Sequence, residues 1–343
     1  MRLMGSKKQA AKSKRQKIKK MAKRKSTIKS LAKKATQNGA SNGNSKRVPT
    51  RLSVLKTYKL YIGGAFPRTE SGRYYKLKNN SNTLIANMCL GSRKDFRNAV
   101  VAARKAQGSW ASRTAYNRSQ ILYRIAEMLE ERRDQFITTL ADLGYTTRQA
   151  ADEVDATVDR AVHYAGWADK YQQIFSAVNP VASAHFNFSV LEPMGVVAIF
   201  APEKQGLLGL ASAIFPAICG GNSVVILASE KEATAAINFA EVLHTSDLPG
   251  GVVNILTGNR AELLDHFATH KDINAFVYYG NKKADKKAIQ TQAADNLKRP
   301  VFIEEADLFA DYHESPYRIL ATTETKTTWH PIASDMTGGG GAY

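Results

Sequence analysis

Short apolar runs and helical patterns alternate along the second half of the chain. Four continuous apolar runs of strand length are followed by a weaker fifth, at 195–200, 223–227, 251–256, 274–278 and 301–303. Amphipathic helical spacing separates these runs at 207–219, 233–243, 261–269 and 282–294. Strands that are apolar on both faces and alternate with helices belong to a parallel sheet covered by two helical layers. The pattern therefore predicts an α/β fold with a doubly wound parallel sheet, and it places any ligand site at the carboxyl ends of the strands.

The first half of the chain carries longer helical patterns and two candidate strand elements. Residues 59–66 predict a short strand and turn, and helices are predicted over 92–107, 117–140 and 152–171. Ser92 is a suitable N-cap for the first of these helices, with Asp95 in its first turn. Residues 182–190 alternate polar and apolar positions through Phe186, Phe188 and Val190, which indicates a hairpin strand. We therefore expect N-terminal helices to precede the parallel sheet, with a hairpin between them.

The positive charge of the chain is concentrated at its N-terminus. Of the 49 Lys and Arg residues, 17 lie in residues 1–50, which contain none of the 30 Asp and Glu residues. Residues 51–343 thus carry 32 basic and 30 acidic residues, so the first 50 residues account for most of the formal net charge of +19. With 43% hydrophobic residues overall, the chain has enough apolar residues for a folded core. The sequence therefore predicts a strongly basic tail and linker at 1–50 and a nearly neutral body.

The basic tail, disordered or helical, is a candidate polyanion-binding segment. Its cations alternate with Ala, Ile, Met and Leu, and a Gly/Asn/Ser linker follows at 37–45. Such a segment gains most from phosphate contacts and counterion release, but without an aromatic residue before Tyr58 it offers no surface for base stacking. An organelle-targeting presequence and a merely solvated tail are the alternatives. The candidate binding residues are Lys7, Lys8, Lys12, Lys14, Arg15, Lys17, Lys19, Lys20, Lys23, Arg24, Lys25, Lys29, Lys33 and Lys34.

Cysteine content and hydropathy limit the cellular compartments in which we expect this chain. Two cysteines, Cys89 and Cys219, cannot build a disulfide scaffold, no apolar run is long enough to cross a membrane, and the N-terminus lacks the apolar region of a secretory signal. We expect an intracellular protein, in the cytoplasm or, as an alternative, in mitochondria or another organelle. His266 and His270 have the i, i+4 spacing of a helical metal pair, but no third ligand accompanies them, so no metal site is predicted.

A series of motifs in the body resembles the aldehyde dehydrogenase superfamily. The motifs lie, in the order expected for that family, at 61–67, 99–106, 121–126, 164–170, 192–197, 221–225 and 248–258. The most specific is Leu248-Pro-Gly-Gly-Val-Val-Asn-Ile-Leu-Thr-Gly258, which is similar to the family's LPPGVVNVVTG stretch. The resemblance implies a Rossmann-like NAD-binding-type domain over 51–310, followed by a terminal oligomerisation strand and a Gly-rich tail at 311–343. The chain also resembles short, truncated members that correspond to the second half of double-length aldehyde dehydrogenases.

The resemblance implies aldehyde oxidation by a catalytic cysteine, and this chain has no counterpart of that cysteine. Members of the family attack the aldehyde with a cysteine thiolate and pass hydride to NAD(P)⁺, and that cysteine follows an ELGGK motif. The matching stretch at 298–305 lacks Gly-Gly-Lys, and no cysteine follows Cys219. Cys219 and Cys89 are expected to be buried core residues rather than nucleophiles. We therefore predict no catalytic residue and a deleted catalytic domain.

The cofactor site that the resemblance implies is also altered. The family's Pro-Trp-Asn after the first sheet strand corresponds to Pro202-Glu203-Lys204, which lacks the amide of the oxyanion hole. The lysine of the family's Lys-Pro-Ala-Glu corresponds to Leu227, and only Glu230 of that quartet is kept. Two tyrosines before Gly280 are expected to crowd the turn where a phosphate approaches the backbone. Pro202 and Glu230 are thus the candidate cofactor-binding residues of a degenerate site. No cofactor is expected, with residual NAD(P) binding as the alternative.

Assembly elements are retained where the resemblance implies subunit contacts. The hairpin at 182–192 and the strand at 319–329 correspond to segments through which family members pair, although the strand could instead fold back on its own sheet. The first hypothesis is a catalytically inactive subunit that assembles with itself or with a catalytic aldehyde dehydrogenase, its tail contacting RNA or another polyanion. The alternatives are an NAD(P)-binding subunit whose catalytic cysteine comes from a partner, and a scaffold component of a ribonucleoprotein.

Overall fold

A computed structural model of the chain describes residues 54–304 and 307–332. The chain divides close to the start of this range, and the described residues from Leu55 onward belong to one compact unit. The strands are β1 (Thr57–Tyr58), β2 (Tyr74–Lys78), β3 (Leu84–Cys89), β4 (Ala177–Asn179), β5 (His185–Pro193), β6 (Val196–Phe200), β7 (Ser223–Leu227), β8 (Val253–Leu256), β9 (Ala275–Tyr279), β10 (Arg299–Ile303) and β11 (Thr323–Pro331). The α-helices are α1 (Arg93–Ala111), α2 (Ala115–Glu131), α3 (Arg133–Leu143), α4 (Thr147–Trp167), α5 (Tyr171–Phe175), α6 (Gly206–Cys219), α7 (Ala233–His244), α8 (Arg260–Thr269), α9 (Lys283–Ala293) and α10 (Tyr317–Leu320).

The central sheet has five parallel strands in the order β10-β9-β6-β7-β8. In the middle of the sheet, Ala198 of β6 lies beside Val225 of β7 on one side and beside Phe276 of β9 on the other. Every residue of β6, β7, β8 and β9 is buried, which is why these strands are continuous apolar runs in the sequence. The predicted Rossmann-like α/β fold with a doubly wound parallel sheet is confirmed.

Helical layers cover both faces of this sheet. Helices α2, α4, α6 and α7 contribute most of the core on one face, and α8 and α9 pack with the first half of α1 on the other. The end of α1 reaches the first layer, where Trp110 Nε1 donates to the carbonyl of Ile218 in α6 over 2.9 Å. Among the described helices, none combines the length and the hydropathy needed to span a bilayer.

The helices that precede the sheet differ from the prediction at one point. Residues 117–140, predicted as a single helix, lie in α2 and α3, which break at Arg132. No Pro or Gly marks this break in the sequence. Instead, Arg132 Nη1 lies 3.9 Å from Glu241 and Arg133 Nε lies 2.6 Å from Asp155, so contacts with two other helices fix the turn. The predicted cap of α1 is confirmed, because Ser92 and Asp95 form a reciprocal capping box.

The strand predicted at 59–66 is reduced to two isolated bridges, Tyr61 with Ile255 and Ile62 with Ala65. Tyr61 exchanges backbone hydrogen bonds of 3.0 and 2.8 Å with Ile255 at the edge of β8. The chain then turns through Gly63 and Gly64, and a Cβ on Gly64 would lie 2.8 Å from Gly250, so this close approach requires glycine. The prediction missed the neighbouring hairpin, in which β2 runs antiparallel to β3 while β3 runs parallel to β1.

A third sheet, in the order β11-β5-β4, contains the hairpin and the terminal strand. The hairpin begins at Ala177 rather than at 182, because β4 pairs with β5. Strand β11 runs antiparallel to β5 of the same chain, from the pair Thr323 and Pro193 to the pair Pro331 and His185. Strand β11 therefore folds back on a sheet of its own chain, which is the alternative given for this segment, and its role in pairing subunits stays a prediction.

Candidate functional site

An arginine lies where the strand order of the central sheet reverses, between the carboxyl ends of β6 and β9. Arg260, the first residue of α8, donates to the carbonyl oxygens of Ala201 and Tyr279, the latter over 3.2 Å. Its Nε also lies 2.5 Å from the carboxylate of Glu203. Ligands of doubly wound folds bind in the crevice at this reversal. Arg260 thus lies at the centre of the predicted ligand position, although no motif in the sequence marks it.

The two predicted cofactor-binding residues occupy different positions at this edge. Pro202 is buried and packs against α6, where a Cβ on Gly209 would lie 3.0 Å from its ring. Glu230 is exposed and lines a groove of about 650 Å³ together with Glu203 and Arg260. Partial burial and the nearby charge of Glu203 raise the pKa of Glu230. Of the predicted pair, only Glu230 lines the groove.

The N-terminus of α6 faces two carboxylates of the chain itself. Glu232 Oε2 accepts a hydrogen bond from Gly206 N over 2.7 Å. Glu153 Oε1 accepts from the N–H groups of Leu207 and Leu208 over 3.0 and 3.3 Å. Both glutamates are buried, and burial, reinforced by the charge of Glu232, raises the pKa of Glu153 to about 8. The N–H groups that could bind an external anion are therefore already occupied.

Only one of the two tyrosines before Gly280 crowds this edge. Tyr278 lies over Gly280, where an added Cβ would be 2.8 Å from its ring, and its hydroxyl donates to Asp285 of α9 over 2.8 Å. Tyr279 points to the opposite face of the sheet, and its hydroxyl donates to the carbonyl of Ser212 over 3.4 Å. The prediction that both tyrosines crowd the turn is wrong, because successive side chains of a strand point to opposite faces.

Comparisons with known proteins agree with this architecture. The sequence pattern of the aldehyde dehydrogenase family matches residues 67–304. This chain belongs to the aldehyde dehydrogenase family. Benzaldehyde dehydrogenase, mitochondrial, from Antirrhinum majus is 32% identical to it over 262 residues, which cover 75% of this chain and 48% of that protein. Cytosolic 10-formyltetrahydrofolate dehydrogenase from Mus musculus is 28% identical over 255 residues, covering 73% of this chain and 28% of that protein.

Solved structures of family members share the fold. The NAD⁺ complex of an aldehyde dehydrogenase from Bacillus cereus has a TM-score of 0.69 at 26% sequence identity, covering 73% of this chain and 51% of that chain. PnpE from Pseudomonas has a TM-score of 0.68 at 26% identity, covering 72% of this chain and 50% of that chain. The chain therefore spans about half the length of these family members, and less of the formyltetrahydrofolate enzyme.

The family implies a nicotinamide dinucleotide, and the residues at this edge do not fit one. A pyrophosphate needs free N–H donors at a helix N-terminus and a close approach to the backbone. Here Glu153 and Glu232 take the donors of α6, Tyr278 covers Gly280, and Arg260 lies between β6 and β9. The residue that corresponds to the family's ribose-contacting lysine, Leu227, is fully buried in β7. No cofactor chemistry follows from this arrangement.

Neither cysteine is placed to act as a nucleophile. Cys89 is buried, and Cys219 is fully buried at the end of α6, where burial raises the pKa of its thiol to about 12. A thiol that is both buried and protonated is unreactive toward an aldehyde. His270 Nδ1 accepts the N–H of Asp272 over 3.2 Å, and no cluster of three or more metal-binding side chains occurs among residues 54–304 and 307–332. The polyanion-binding residues predicted between Lys7 and Lys34 lie outside the described residues.

Proposed function

We propose that this chain is a non-catalytic aldehyde dehydrogenase subunit. It assembles with itself or with a catalytic member of the family, and its basic tail contacts RNA or another polyanion. One observation carries the assembly role, an exposed apolar face on the three-stranded sheet. The register of β4 and β5 puts four residues on this apolar face, namely Val178, Phe186, Phe188 and Val190. Val178 is 67% exposed and Phe186 is 46% exposed.

The surroundings of the apolar face suit a second subunit. Its four residues line a groove of about 350 Å³ beside α5. A contiguous apolar groove on a surface is typical of a protein contact. Strand β11 lies at one edge of this sheet, and no described strand pairs with its outer side, so a partner strand could extend the sheet there.

The cysteines and the ligand crevice support a non-catalytic role. Cys219 and Cys89 are both buried, and Arg260 lies in the crevice where a cofactor would bind. The same crevice argues against the alternative of an NAD(P)-binding subunit that borrows a partner's cysteine, because that subunit would need an open cofactor site. A ribonucleoprotein scaffold would use the tail but would leave the apolar face without a role. We propose an intracellular location, since the named relatives include both cytosolic and mitochondrial proteins.

Replacing Val178 with lysine is expected to convert the oligomer into a monomer. Assembly through the apolar face would bury the new ammonium without a partner, which is strongly unfavourable. Light scattering after size-exclusion chromatography measures the mass of the wild-type and V178K chains, alone and mixed with a catalytic aldehyde dehydrogenase. Val101→Lys is the matched control, because Val101 is 61% exposed on α1. A wild-type chain that stays monomeric in both samples, or a V101K chain that dissociates equally, contradicts the assembly role.

Neutralising the tail is expected to remove most of the RNA binding. In the tail-neutralised variant, the 14 cations between Lys7 and Lys34 are replaced by glutamine in the full-length chain. Each lost phosphate contact lowers the slope of log K against log salt by about 0.7 for a single strand, so the slope should fall by several units. Fluorescence anisotropy of a labelled RNA over a range of KCl concentrations measures this slope. A chain with serine throughout 37–45 keeps the charge and serves as the control. Equal slopes for the wild-type and tail-neutralised chains refute the tail contact.

A further inference from the structure

Each of four successive strand-to-helix turns of the central sheet places a cation at the start of its helix. Lys204 and Lys231 lie two residues before the first residues of α6 and α7, Arg260 begins α8, and Lys282 is the N-cap of α9. Helices that follow parallel strands begin at the carboxyl edge of the sheet. The four cations therefore lie along one edge, and neither assembly nor the tail accounts for them.

The helix dipole disfavours cations at these positions, although acidic residues also lie at the starts of α6 and α9. A helix N-terminus carries a partial positive charge, so a nearby cation is disfavoured there. Arg260 is compensated by Glu203, 2.5 Å away. In contrast, Lys204, Lys231 and Lys282 are exposed, and none forms an ion pair with a residue of the described chain. Three unpaired lysines at helix N-termini along one edge oppose the helix dipole, and such a repeated departure indicates a function at that edge.

The carboxylates of this edge compensate the three lysines only in part, since the charge of Lys231 acts on Glu230 and Glu232 without forming an ion pair. Glu232 accepts hydrogen bonds from the α6 N-terminus and from the Tyr145 hydroxyl, the latter over 2.6 Å. Asp285 accepts the Tyr278 hydroxyl. Glu230 is the acidic residue exposed on the rim of the groove. The surface at these helix starts therefore presents more unpaired positive than negative charge.

The lysines border two neighbouring grooves that share lining residues. The first groove, of about 650 Å³, lies between β2 and the start of α9, and the second, of about 640 Å³, lies beside the end of α3. Lys78 and Lys231 line both grooves. Strand β2 also carries Tyr74, which lines neither groove but is 57% exposed and lies two residues before Lys76. We define the basic edge as Lys76, Lys78, Lys204, Lys231 and Lys282.

We propose that the basic edge binds the sugar–phosphate backbone of single-stranded RNA, with a base stacked on Tyr74. An elongated cationic groove beside an exposed aromatic ring is the arrangement that holds a single strand. Charge spread over two neighbouring grooves favours an extended chain of phosphates over a compact nucleotide. The choice of RNA rests on the proposed function, and the body would continue the contact that begins in the tail.

The test measures RNA binding by full-length chains that carry Lys204→Gln, Lys231→Gln and Lys282→Gln together. The probe is a labelled oligouridylate of about 15 nucleotides, followed by fluorescence anisotropy over a range of KCl concentrations. Removing three phosphate contacts should lower the slope of log K against log salt by about 2. Tyr74→Ser should weaken binding about fivefold while leaving the slope unchanged.

Matched controls separate this site from the tail and from general charge loss. The triple Lys105→Gln, Lys170→Gln and Lys271→Gln removes exposed lysines that lie away from the two grooves, and Tyr116→Ser removes a tyrosine that is 69% exposed on α2. Both controls should bind as the wild type does.

Three results overturn the inference, and a fourth separates it from the tail proposal. If the basic-edge triple keeps the wild-type slope while the tail-neutralised chain loses it, RNA does not bind at the basic edge and the tail proposal stands. If the slope falls in the basic-edge triple but not in the tail-neutralised chain, the basic edge binds RNA and the tail proposal is refuted. The assignment to RNA is also overturned if the basic-edge triple loses heparin binding as strongly as RNA binding and Tyr74→Ser leaves RNA binding unchanged. The basic edge would then be a general anion-binding surface. Equal binding of duplex and single-stranded probes overturns the assignment as well.

Discussion

Replacing Arg160 with methionine is expected to lower the free energy of unfolding by about 3–5 kcal/mol. Arg160 is 1% exposed, and its guanidinium donates to the carbonyls of Leu308 and His313 over 3.0 and 3.2 Å. It also donates to Ser212 Oγ and pairs with Glu314 at 3.2 Å. Methionine occupies a similar space but donates nothing, so buried carbonyls lose a partner. The loss is large because one side of a buried hydrogen-bonded set is removed while the other remains.

Denaturant unfolding measures this change, and hydrogen exchange locates it. We define the return segment as residues 307–322, which lie between β10 and β11. Amides around Leu308 and His313 should lose protection in R160M before the central sheet does. Arg148→Met is the control, because the Arg148 side chain is 92% exposed and 3.9 Å from Asp152, a surface pair worth less than about 1 kcal/mol. Wild-type stability in R160M would mean that other contacts hold the return segment.

The return segment links the buried arginine to the assembly face. It brings the chain from the edge of the central sheet back across α4 and α6, and β11 then pairs with β5 along its whole length. At the end of the segment, Asn222 Nδ2 donates to the carbonyl of Thr322 over 3.0 Å, and Arg299 donates to that of Thr323 over 2.8 Å. The sheet that carries the apolar face therefore depends on contacts made far from it, and R160M should weaken assembly as well as stability.

The parallel sheet could be predicted because each strand carries its own signal. Residues 223–227 form a strand with the predicted bounds, since burial on both faces requires an apolar side chain at nearly every position. The cap of α1 could also be predicted, because Ser92 and Asp95 lie three residues apart and their hydrogen bonds are local. In each case the residues that determine the structure are neighbours in the sequence.

The contacts of the candidate site could not be predicted, because they join distant residues. Arg260 reaches a carbonyl 59 residues away, and Glu153 reaches an N–H 54 residues away. Neither residue differs locally from a charged residue on the outer side of an amphipathic helix. One signal was available: the cations at the starts of four successive helices oppose the helix dipole, and that pattern is visible in the sequence. Its meaning depends on knowing that the four helices begin at the same edge of one sheet.

Replacing Glu153 with glutamine is expected to remove a pH-dependent loss of stability. Burial raises the pKa of Glu153 from its ordinary value of 4.5 to about 8. Between these values the folded chain keeps a proton that the unfolded chain has released. The stabilisation is complete below pH 4.5 and is lost as the pH rises through 8, at no more than about 1.4 kcal/mol per pH unit. Glutamine does not ionise but keeps an oxygen that can accept from Leu207, so E153Q should lack this slope.

The free energy of unfolding, measured from about pH 5 to pH 8 for both chains, tests this expectation. His163 and His270, whose pKa values are lowered by burial, add a slope of opposite sign below 6.5. That slope is common to both chains, so their difference reports Glu153 together with its coupling to Glu232. Glu131→Gln, which neutralises an exposed carboxylate at the end of α2, should leave the wild-type slope intact. Identical slopes for wild type and E153Q would mean that Glu153 is charged at neutral pH, beside Glu232 at the α6 N-terminus. The added negative charge would then oppose any phosphate near Lys204, so this measurement also bears on the basic edge.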